Sequence, residues 1–215
     1  SHCTSPYRCP FYTHCHQQVT DCPVTNLPGA RRKFLDELKQ SGIDDIRLIP
    51  SNHPGLNVLQ QRVRDCVVND RAFVGPGLLT KLGEVNFPVS FLDFETFNPA
   101  LPVYVGTRPY QAIPFQWSLH IKHRSGHLRH ESFLWTKNND PRSALVESLI
   151  AAIPSEGTIV SYSNYEQTVI KQLATEFPAF EDALLGLCDR TFDLLKLVRE
   201  EYYHPQFHGS FSIKS

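Results

Sequence analysis

Residues 90–101 read SFLDFETFNPAL, and this stretch decides both the fold and the site that the chain suggests. The segment VSFLDFET is apolar on both faces, which predicts a central β-strand covered by helices. Asp93 and Glu95 interrupt the apolar run. A buried carboxylate is costly unless it is paired, hydrogen-bonded or bound to a metal. These two acids therefore need a partner, and its nature is the first question that the sequence raises.

Asp93 and Glu95 are two residues apart, so in a strand they project from the same face, about 6.5–7 Å apart along the chain. They precede Asn98-Pro99, where the chain has to leave the sheet. Ligands of open α/β sheets bind at the carboxyl ends of strands. The pair is therefore a candidate site for two divalent cations, Mg²⁺ or Mn²⁺, that would clamp a phosphodiester. The alternative is that both acids lie in a loop or pair with Arg or Lys.

The pattern around this strand predicts a mixed α/β sheet with flanking helices. Residues 113–122 alternate between apolar and polar, RSGH makes a turn, and LRHESFLW returns as a second strand. A helix that Asp140 caps follows, then the short buried strand GTIVSY and further helical segments up to residue 202. A hairpin beside strands that helices separate favours a mixed sheet with helices packed on it.

A second acidic position follows the strand GTIVSY. In IVSYSNYEQTVI, Asn164 is predicted to cap a helix whose first turn holds Glu166. This strand-to-helix junction lies at the same edge as the first pair of acids, so Glu166 is a further candidate carboxylate. The alternative is that Glu166 only interacts with the helix dipole. Asp193 is predicted inside an amphipathic helix, where it faces either solvent or the site.

FLDFET, followed by a strand hairpin, a helix and YSNYE, resembles the DnaQ-like 3′–5′ exonucleases of the ribonuclease H-like superfamily over about residues 88–215. The resemblance implies a ribonuclease H-like fold and two-metal hydrolysis of nucleic-acid phosphodiester bonds. It puts Asp93 and Glu95 on the first catalytic motif and Asn164 and Glu166 on the second, where Glu replaces the commoner Asp. The three acids would hold the metals, and Asn164 would orient the helix start or the substrate.

The third motif of that family brings a last Asp and a His or Tyr general base, and it would lie beyond Ser215. His204 and His208 are further candidates, although no family motif matches them; the alternative is aromatic packing or loop surface. The chain contains no methionine and ends in GSFSIKS. Both features lead us to expect a fragment whose partner is the remainder of a larger nuclease polypeptide.

Cys3, Cys9, Cys15 and Cys22 lie close together near the start of the chain, with His residues between them. Clustered thiolates without a secretory signal favour zinc or an iron–sulfur cluster over disulfides. HCTSPYRCPFYTHC resembles the cysteine triplet of RecB-like nucleases with an iron–sulfur staple. Together with FLDFETF and YYHPQFHGSFSIK, it resembles an uncharacterised bacterial family that joins such a region to the exonuclease domain. The resemblance implies that Cys3, Cys9 and Cys15 are ligands and Cys22 a spare or a substitute; the alternative is unliganded thiols.

The bulk properties favour a globular, cytoplasmic protein. The 215 residues are 41% hydrophobic and 20% charged, with a formal net charge of −1, so no global basic field indicates nucleic acid. No apolar run approaches the roughly 20 residues of a membrane span, and no membrane partner is expected. A local phosphate-binding surface could come from basic residues near the start of the chain; the alternative is a solvated helix face. These residues are Arg31, Arg32, Lys33, Arg62 and Arg64.

The sequence therefore predicts three segments: a Cys-rich arm at 1–29, a helical linker region at 30–85, and a ribonuclease H-like exonuclease domain at 86–215. The predicted function is metal-dependent 3′–5′ exonucleolytic hydrolysis of DNA or RNA, with single-stranded nucleic acid as the expected partner. The alternative is a catalytically degenerate nuclease fold that binds nucleic acid or a protein partner and carries a structural cysteine metal site.

Overall fold

The computed structural model describes residues 3, 7–15 and 20–213, except for the side chain of Thr13. The chain divides into two compact units. The first, here called the terminal unit, contains the residues up to Gly75 and those from Val198 onward. The second, here called the sheet unit, contains Pro76–Leu197. The units divide the chain differently from the three predicted segments, whose boundaries stay a prediction.

The helices and strands are numbered along the chain. The α-helices are α1 (Tyr12–Cys15), α2 (Arg32–Gln40), α3 (Val58–Asn69), α4 (Leu78–Leu82), α5 (Arg142–Ala152), α6 (Tyr165–Glu176), α7 (Glu181–Asp189) and α8 (Leu194–Glu201). The β-strands are β1 (Phe73–Val74), β2 (Val89–Phe97), β3 (Ile113–Lys122), β4 (Leu128–Leu134), β5 (Thr158–Ser161), β6 (Thr191–Asp193) and β7 (Tyr202–Tyr203). Among the described residues, no helix is long and apolar enough to cross a membrane.

The sheet unit is built on five strands in the order β4-β3-β2-β5-β6. Strands β2, β3 and β4 pair in antiparallel fashion, whereas β5 runs parallel to β2 and β6 runs parallel to β5. The predicted mixed α/β sheet is therefore confirmed, and so is the predicted hairpin. Strand β6 was expected to be helical. Its Thr and Phe residues favour extended structure, and the neighbouring edge of β5 accepts them: Ile159 N donates to Arg190 O at 3.0 Å.

Strand β2 is central, and the core helices of the sheet unit pack on one of its faces; on the other face, Leu82 of α4 and Leu194 of α8 line a cleft with the buried Val89. Leu92 and Phe94 are buried and share a core with Trp117 of β3 and with apolar residues of α5, α6 and α7. On the opposite face, Asp93 and Glu95 are exposed. The predicted burial on both faces is confirmed for Val89 and Ser90 and is wrong from Phe91 onward. Side chains alternate along a strand, and the acids occupy the open face, where water solvates them.

The terminal unit has a core of its own. Its fully buried side chains include Val24, Ile46, Val63 and Tyr203. Strands β1 and β7 form a two-stranded antiparallel sheet in which Phe73 pairs with Tyr203. This pairing brings the last part of the described chain into the same unit as the first part.

Candidate active site at the carboxyl edge of the sheet

Three elements bring acidic residues to one edge of the sheet. Strands β2, β5 and β6 are parallel, so their carboxyl ends lie at the same edge. Asp93 lies in the middle of β2, two residues beyond the last pair with β5, and Asp193 is the last residue of β6, level with Ser161 at the end of β5. Glu166 lies in the first turn of α6, which follows β5.

Glu166 is the buried member of this set, with only 6% of its surface exposed. Its Oε2 atom is buried and has no hydrogen-bond partner in the described part of the chain. Burial raises the pKa of Glu166 most strongly; its own backbone N–H lowers it, and the charges of Asp93 and Asp193 raise it further. Asp93 and Asp193 are therefore each close enough to Glu166 to disfavour its charged form. We call Asp93, Glu166 and Asp193 the carboxylate cluster.

Asp93 and Glu95 lie side by side on the open face of β2. Across the sheet, Asp93 is opposite Ser118 and Glu95 is opposite Gln116 of β3. Neither carboxylate has a hydrogen bond or an ion pair with any described residue. The alternative that they pair with Arg or Lys therefore finds no support among the described residues, and both acids are accessible from solvent.

Asp193 differs from its predicted position. It ends strand β6 instead of lying inside a helix, and its Oδ1 atom accepts a hydrogen bond from Lys196 N at 2.9 Å. This bond caps the first turn of α8, which begins at Leu194. The prediction of an interior helical residue is wrong because residues 191–193 extend the sheet before the helix starts. Asp193 thus has a structural role as well as an electrostatic effect on Glu166.

Asn164 occupies the N-cap position of α6, as predicted, but its side chain makes no capping hydrogen bond with any residue that the structure describes. Instead, Ser163 Oγ accepts a hydrogen bond from Tyr165 N at 3.1 Å. Ser163 has a φ of +139°, a backbone angle that is strained for a residue with a side chain. The exposed Asn164 remains available to a ligand, and its predicted role stays a prediction.

A contact that the sequence did not reveal joins β2 to α6. Thr96 Oγ1 and the hydroxyl of Tyr165 lie 2.5 Å apart and form a hydrogen bond. The bond fixes the end of β2 against the residue that precedes Glu166. The only sequence signal for it is the position of Tyr165 inside YSNYE, next to the second acid.

His204 and His208 belong to the terminal unit. His204 precedes a short 3₁₀ turn, and its Nδ1 atom accepts a hydrogen bond from Gln206 N at 3.2 Å. His208 ends this turn in a left-handed conformation with φ of +48°. Both residues thus have local roles in the chain path, and a part in the reaction stays a prediction.

The cysteines near the start of the chain are free thiols. Cys9 N donates to Cys3 O at 2.9 Å, and Cys15 ends helix α1. Burial raises the pKa of Cys22, which disfavours the thiolate form that a metal needs. Zinc or iron–sulfur ligation by these four cysteines stays a prediction.

The chemistry of the acidic edge suits a magnesium or manganese site. Among the described residues, no group of three or more His, Cys, Asp or Glu side chains is arranged to hold one ion. Mg²⁺ in enzymes is commonly held by one or two carboxylates, with waters and substrate phosphates completing the shell. The unpartnered Oε2 of Glu166 beside two further carboxylates fits a cation, because a positive charge would relieve their repulsion. Asp93 and Glu166 are the described residues whose carboxylates could share it, and the part of Glu95 stays a prediction.

The predicted phosphate-binding cations are largely engaged elsewhere. Arg32 and Lys33 lie 3.8 and 3.9 Å from acids one turn further along α2. Arg62 donates to Arg199 O at 2.8 Å, and Arg64 donates to Ile49 O at 2.9 Å. These contacts favour a structural role for the arginines of α3 over a phosphate-binding surface.

The fold and the site together define a class: a mixed α/β domain with a carboxylate cluster at the carboxyl edge of its sheet. A family model described as a domain of unknown function, DUF2779, matches residues 90–212, and the chain belongs to this family. The comparison with curated proteins and the comparison with solved structures each find no match.

Proposed function

We propose that the protein is a metal-dependent nuclease that hydrolyses nucleic-acid phosphodiester bonds, acting as a 3′–5′ exonuclease with two divalent cations. One observation carries the proposal. Glu166 is buried with an unpartnered carboxylate oxygen, and it faces the charges of Asp93 and Asp193 at the edge of the sheet. A protein tolerates such a costly arrangement where a cation is needed.

The proposed fold is ribonuclease H-like. A mixed sheet with flanking helices is what the resemblance implies, and the five-stranded sheet supports it. The acids of FLDFET lie on the central strand β2, and YSNYE lies at the junction of β5 and α6, in the order that the resemblance requires.

Each residue has a distinct role in the proposed reaction. Divalent cations would polarise the phosphodiester and lower the pKa of the attacking water. Asp93 and Glu95 present oxygen ligands from the open face of β2, where a nucleic acid can approach. Glu166 would add a further oxygen ligand from the first turn of α6. The hydrogen bond between Thr96 and Tyr165 holds β2 against α6, so the ligands from the two elements keep a fixed separation.

A binding module is the second candidate function. It is favoured by the absence of a closed three-ligand metal group among the described residues and by Glu in place of Asp at the second motif. Such a module would hold nucleic acid without cleaving it.

Hydrolysis of end-labelled single-stranded DNA and RNA in Mg²⁺ or Mn²⁺ tests the proposal. We expect wild type to shorten the labelled strand and Asp93→Asn to lose at least about 100-fold in rate, since a metal ligand is removed. Asp189→Asn is the matched control, because Asp189 is an exposed acid at the end of α7.

Equal rates for wild type and Asp93→Asn would contradict the proposal, and so would the absence of hydrolysis with every cation and both nucleic acids. Binding of the labelled strand without hydrolysis would favour the binding module.

A further inference from the structure

The open face of the sheet carries a row of ring-bearing side chains beside the acids. Residues directly opposite each other on neighbouring strands share a face. Phe91 of β2 is opposite His120 of β3, which is opposite His130 of β4. The two imidazole rings stack, with centroids 4.3 Å apart and an angle of 21° between their planes. Phe91 is 41% exposed, so the row is accessible from outside.

A cleft of about 310 Å³ extends this row toward the other edge of the sheet. Its lining includes Phe87, Phe91, Val160 and Phe192. The parallel register puts Phe91 opposite Val160, and Val160 opposite Phe192. An apolar surface with two exposed aromatic rings, those of Phe87 and Phe91, is suited to a flat, aromatic ligand.

Two cations, Lys122 and Arg124, lie at or beside the cleft. Lys122 lines it, and the guanidinium of Arg124 lies 5.3 Å from the centroid of the Phe87 ring. None of the described residues that line the cleft is an Asp or a Glu. Neither cation has an ion pair with an acid in the described part of the chain. The cleft therefore complements a ligand that is both aromatic and anionic.

The row is continuous with the proposed active site. Val89, Phe91, Asp93 and Glu95 alternate along β2 and project from one face. Each step along this series is about 6.5–7 Å. A ligand that spans a few such steps reaches from the aromatic residues to the acids without changing face.

We propose that this face binds single-stranded nucleic acid by base stacking and leads the strand to Asp93 and Glu95. We call it the stacking face and define it by Phe87, Phe91, His120, Lys122 and His130. The inference rests on the proposed nuclease function and names its substrate class. Single-stranded nucleic acid is bound by positive grooves with aromatic side chains, since every base has a face to stack and every phosphate a charge to neutralise.

Fluorescence anisotropy with a labelled single-stranded oligonucleotide in EDTA tests the stacking face independently of catalysis. We expect Phe91→Ala to weaken binding about 10-fold, the loss that removal of one stacking partner causes. Leu185→Ala is the matched control, because Leu185 is a similarly exposed apolar side chain on α7. Circular dichroism checks that each variant is folded.

The salt dependence of oligonucleotide binding tests whether the positive charge of Lys122 contacts a phosphate. We expect Lys122→Ala to reduce the slope of log affinity against log salt by about 0.7, as for one lost phosphate contact with a single strand. Lys171→Ala, which removes an exposed cation of α6, is the control and should leave the slope unchanged. If Phe91→Ala and Lys122→Ala both bind the oligonucleotide as tightly as wild type, with an unchanged salt dependence, the proposal of a stacking face is overturned.

A small substrate separates the two proposals. Methyl 4-nitrophenyl phosphate contains one phosphodiester bond and cannot span the face. Phe91→Ala should hydrolyse it like wild type while losing activity on the oligonucleotide, whereas Asp93→Asn should bind the oligonucleotide and hydrolyse neither. If wild type binds the oligonucleotide in a way that depends on Phe91 but cleaves neither substrate, the stacking face is supported and the proposed nuclease function is contradicted. If the protein self-associates, and Phe91→Ala abolishes the self-association without changing the binding of the oligonucleotide, the proposal is overturned. The face would then bind a second copy of the chain.

Discussion

Glu166 is the residue on which the site depends most. It is buried, one of its oxygens has no partner among the described residues, and two other carboxylates repel it. Each of these features lowers the stability of the folded chain when the carboxylate is charged. A bound divalent cation would give the unpartnered oxygen a partner and would offset the repulsion between the carboxylates. The arrangement that lowers stability without metal would therefore favour metal binding.

Glu166→Gln should therefore stabilise the protein in the absence of metal. The substitution keeps the size of the side chain and removes a buried charge that faces like charges. We expect the free energy of unfolding at neutral pH to rise by on the order of 1 kcal/mol. Urea denaturation in EDTA measures it. Glu156→Gln, at an exposed loop position, is the control and should change little. A loss of stability in Glu166→Gln would mean that the carboxylate has favourable partners.

Asp45 in the terminal unit has the opposite environment. The guanidinium of Arg47 donates from Nε to Oδ1 at 3.0 Å and from Nη2 to Oδ2 at 2.5 Å. Arg47 and Thr20 lower the pKa of Asp45 to about 2, although its burial acts to raise it. A carboxyl whose pKa is depressed by folding stabilises the protein above its unfolded-state pKa of about 4. This stabilisation is lost as the pH falls through the folded-state value of about 2.

Asp45→Asn should lower the free energy of unfolding at pH 7 by about 1–2 kcal/mol, because charge-assisted hydrogen bonds are weakened. The difference from wild type should shrink between pH 4 and pH 2, where the wild-type carboxyl becomes protonated. Thermal unfolding at several pH values measures it, with the exposed Asp44→Asn as control. A difference that stays constant down to pH 2 would show that the charge of Asp45 is not what matters.

The acids were the part of the site that local spacing could predict. A two-residue separation in a strand puts Asp93 and Glu95 on one face, and a strand-to-helix junction puts Glu166 at the same edge. The capping role of Ser163 depends on a backbone angle that its side chain does not encode. The contact between Thr96 and Tyr165 joins residues distant in the sequence, and no local pattern predicts it.

At the scale of elements, the junction before β5 determines how that strand meets β2. Gly157 has a φ of +86°, and a Cβ atom there would lie 2.0 Å from Pro88 O. Only glycine accommodates both the backbone angle and the close approach. The residues that follow pair in register, with Val89 opposite Thr158. This register determines how far along the sheet the end of β5 lies relative to Asp93 of β2.

Gly157→Ala should be strongly destabilising, and Gly126→Ala separates the two causes. Gly126 has a similar φ of +88°, but nothing lies within 4 Å of its added Cβ. We expect Gly126→Ala to cost about 1 kcal/mol from the backbone angle alone. Gly157→Ala should cost about 2 kcal/mol more, because the chain has to shift away from Pro88. Urea denaturation measures both, and equal losses would contradict the role of the close approach.

The long elements follow from their sequence patterns, and the short ones do not. Strands β2 and β3 have enough residues for an apolar or alternating pattern to be recognised. Strands β6 and β7 have three and two residues, too few for a period. From Phe91 onward β2 is buried on one face only, and this depends on which elements pack against it. Alternation places residues on faces but does not say which face is covered.

At the scale of the whole molecule, the family match and the compact units divide the chain differently. The match covers residues 90–212, whereas the sheet unit ends at Leu197. The family's domain therefore includes β7, which pairs with β1 in the terminal unit. Pairing between two-residue strands so far apart in the sequence has no local signal, so this organisation could not be predicted from the sequence.

The central claim is that the carboxylates at the edge of the sheet bind divalent cations. Anomalous diffraction from a crystal soaked in Mn²⁺ tests it most directly, because the anomalous signal locates the ion. We predict a peak in contact with the carboxylates of Asp93 and Glu166, and its loss in Asp93→Asn crystals soaked in the same way. A wild-type crystal that has Mn²⁺ elsewhere, or none at all, while these carboxylates remain without an ion would contradict the claim.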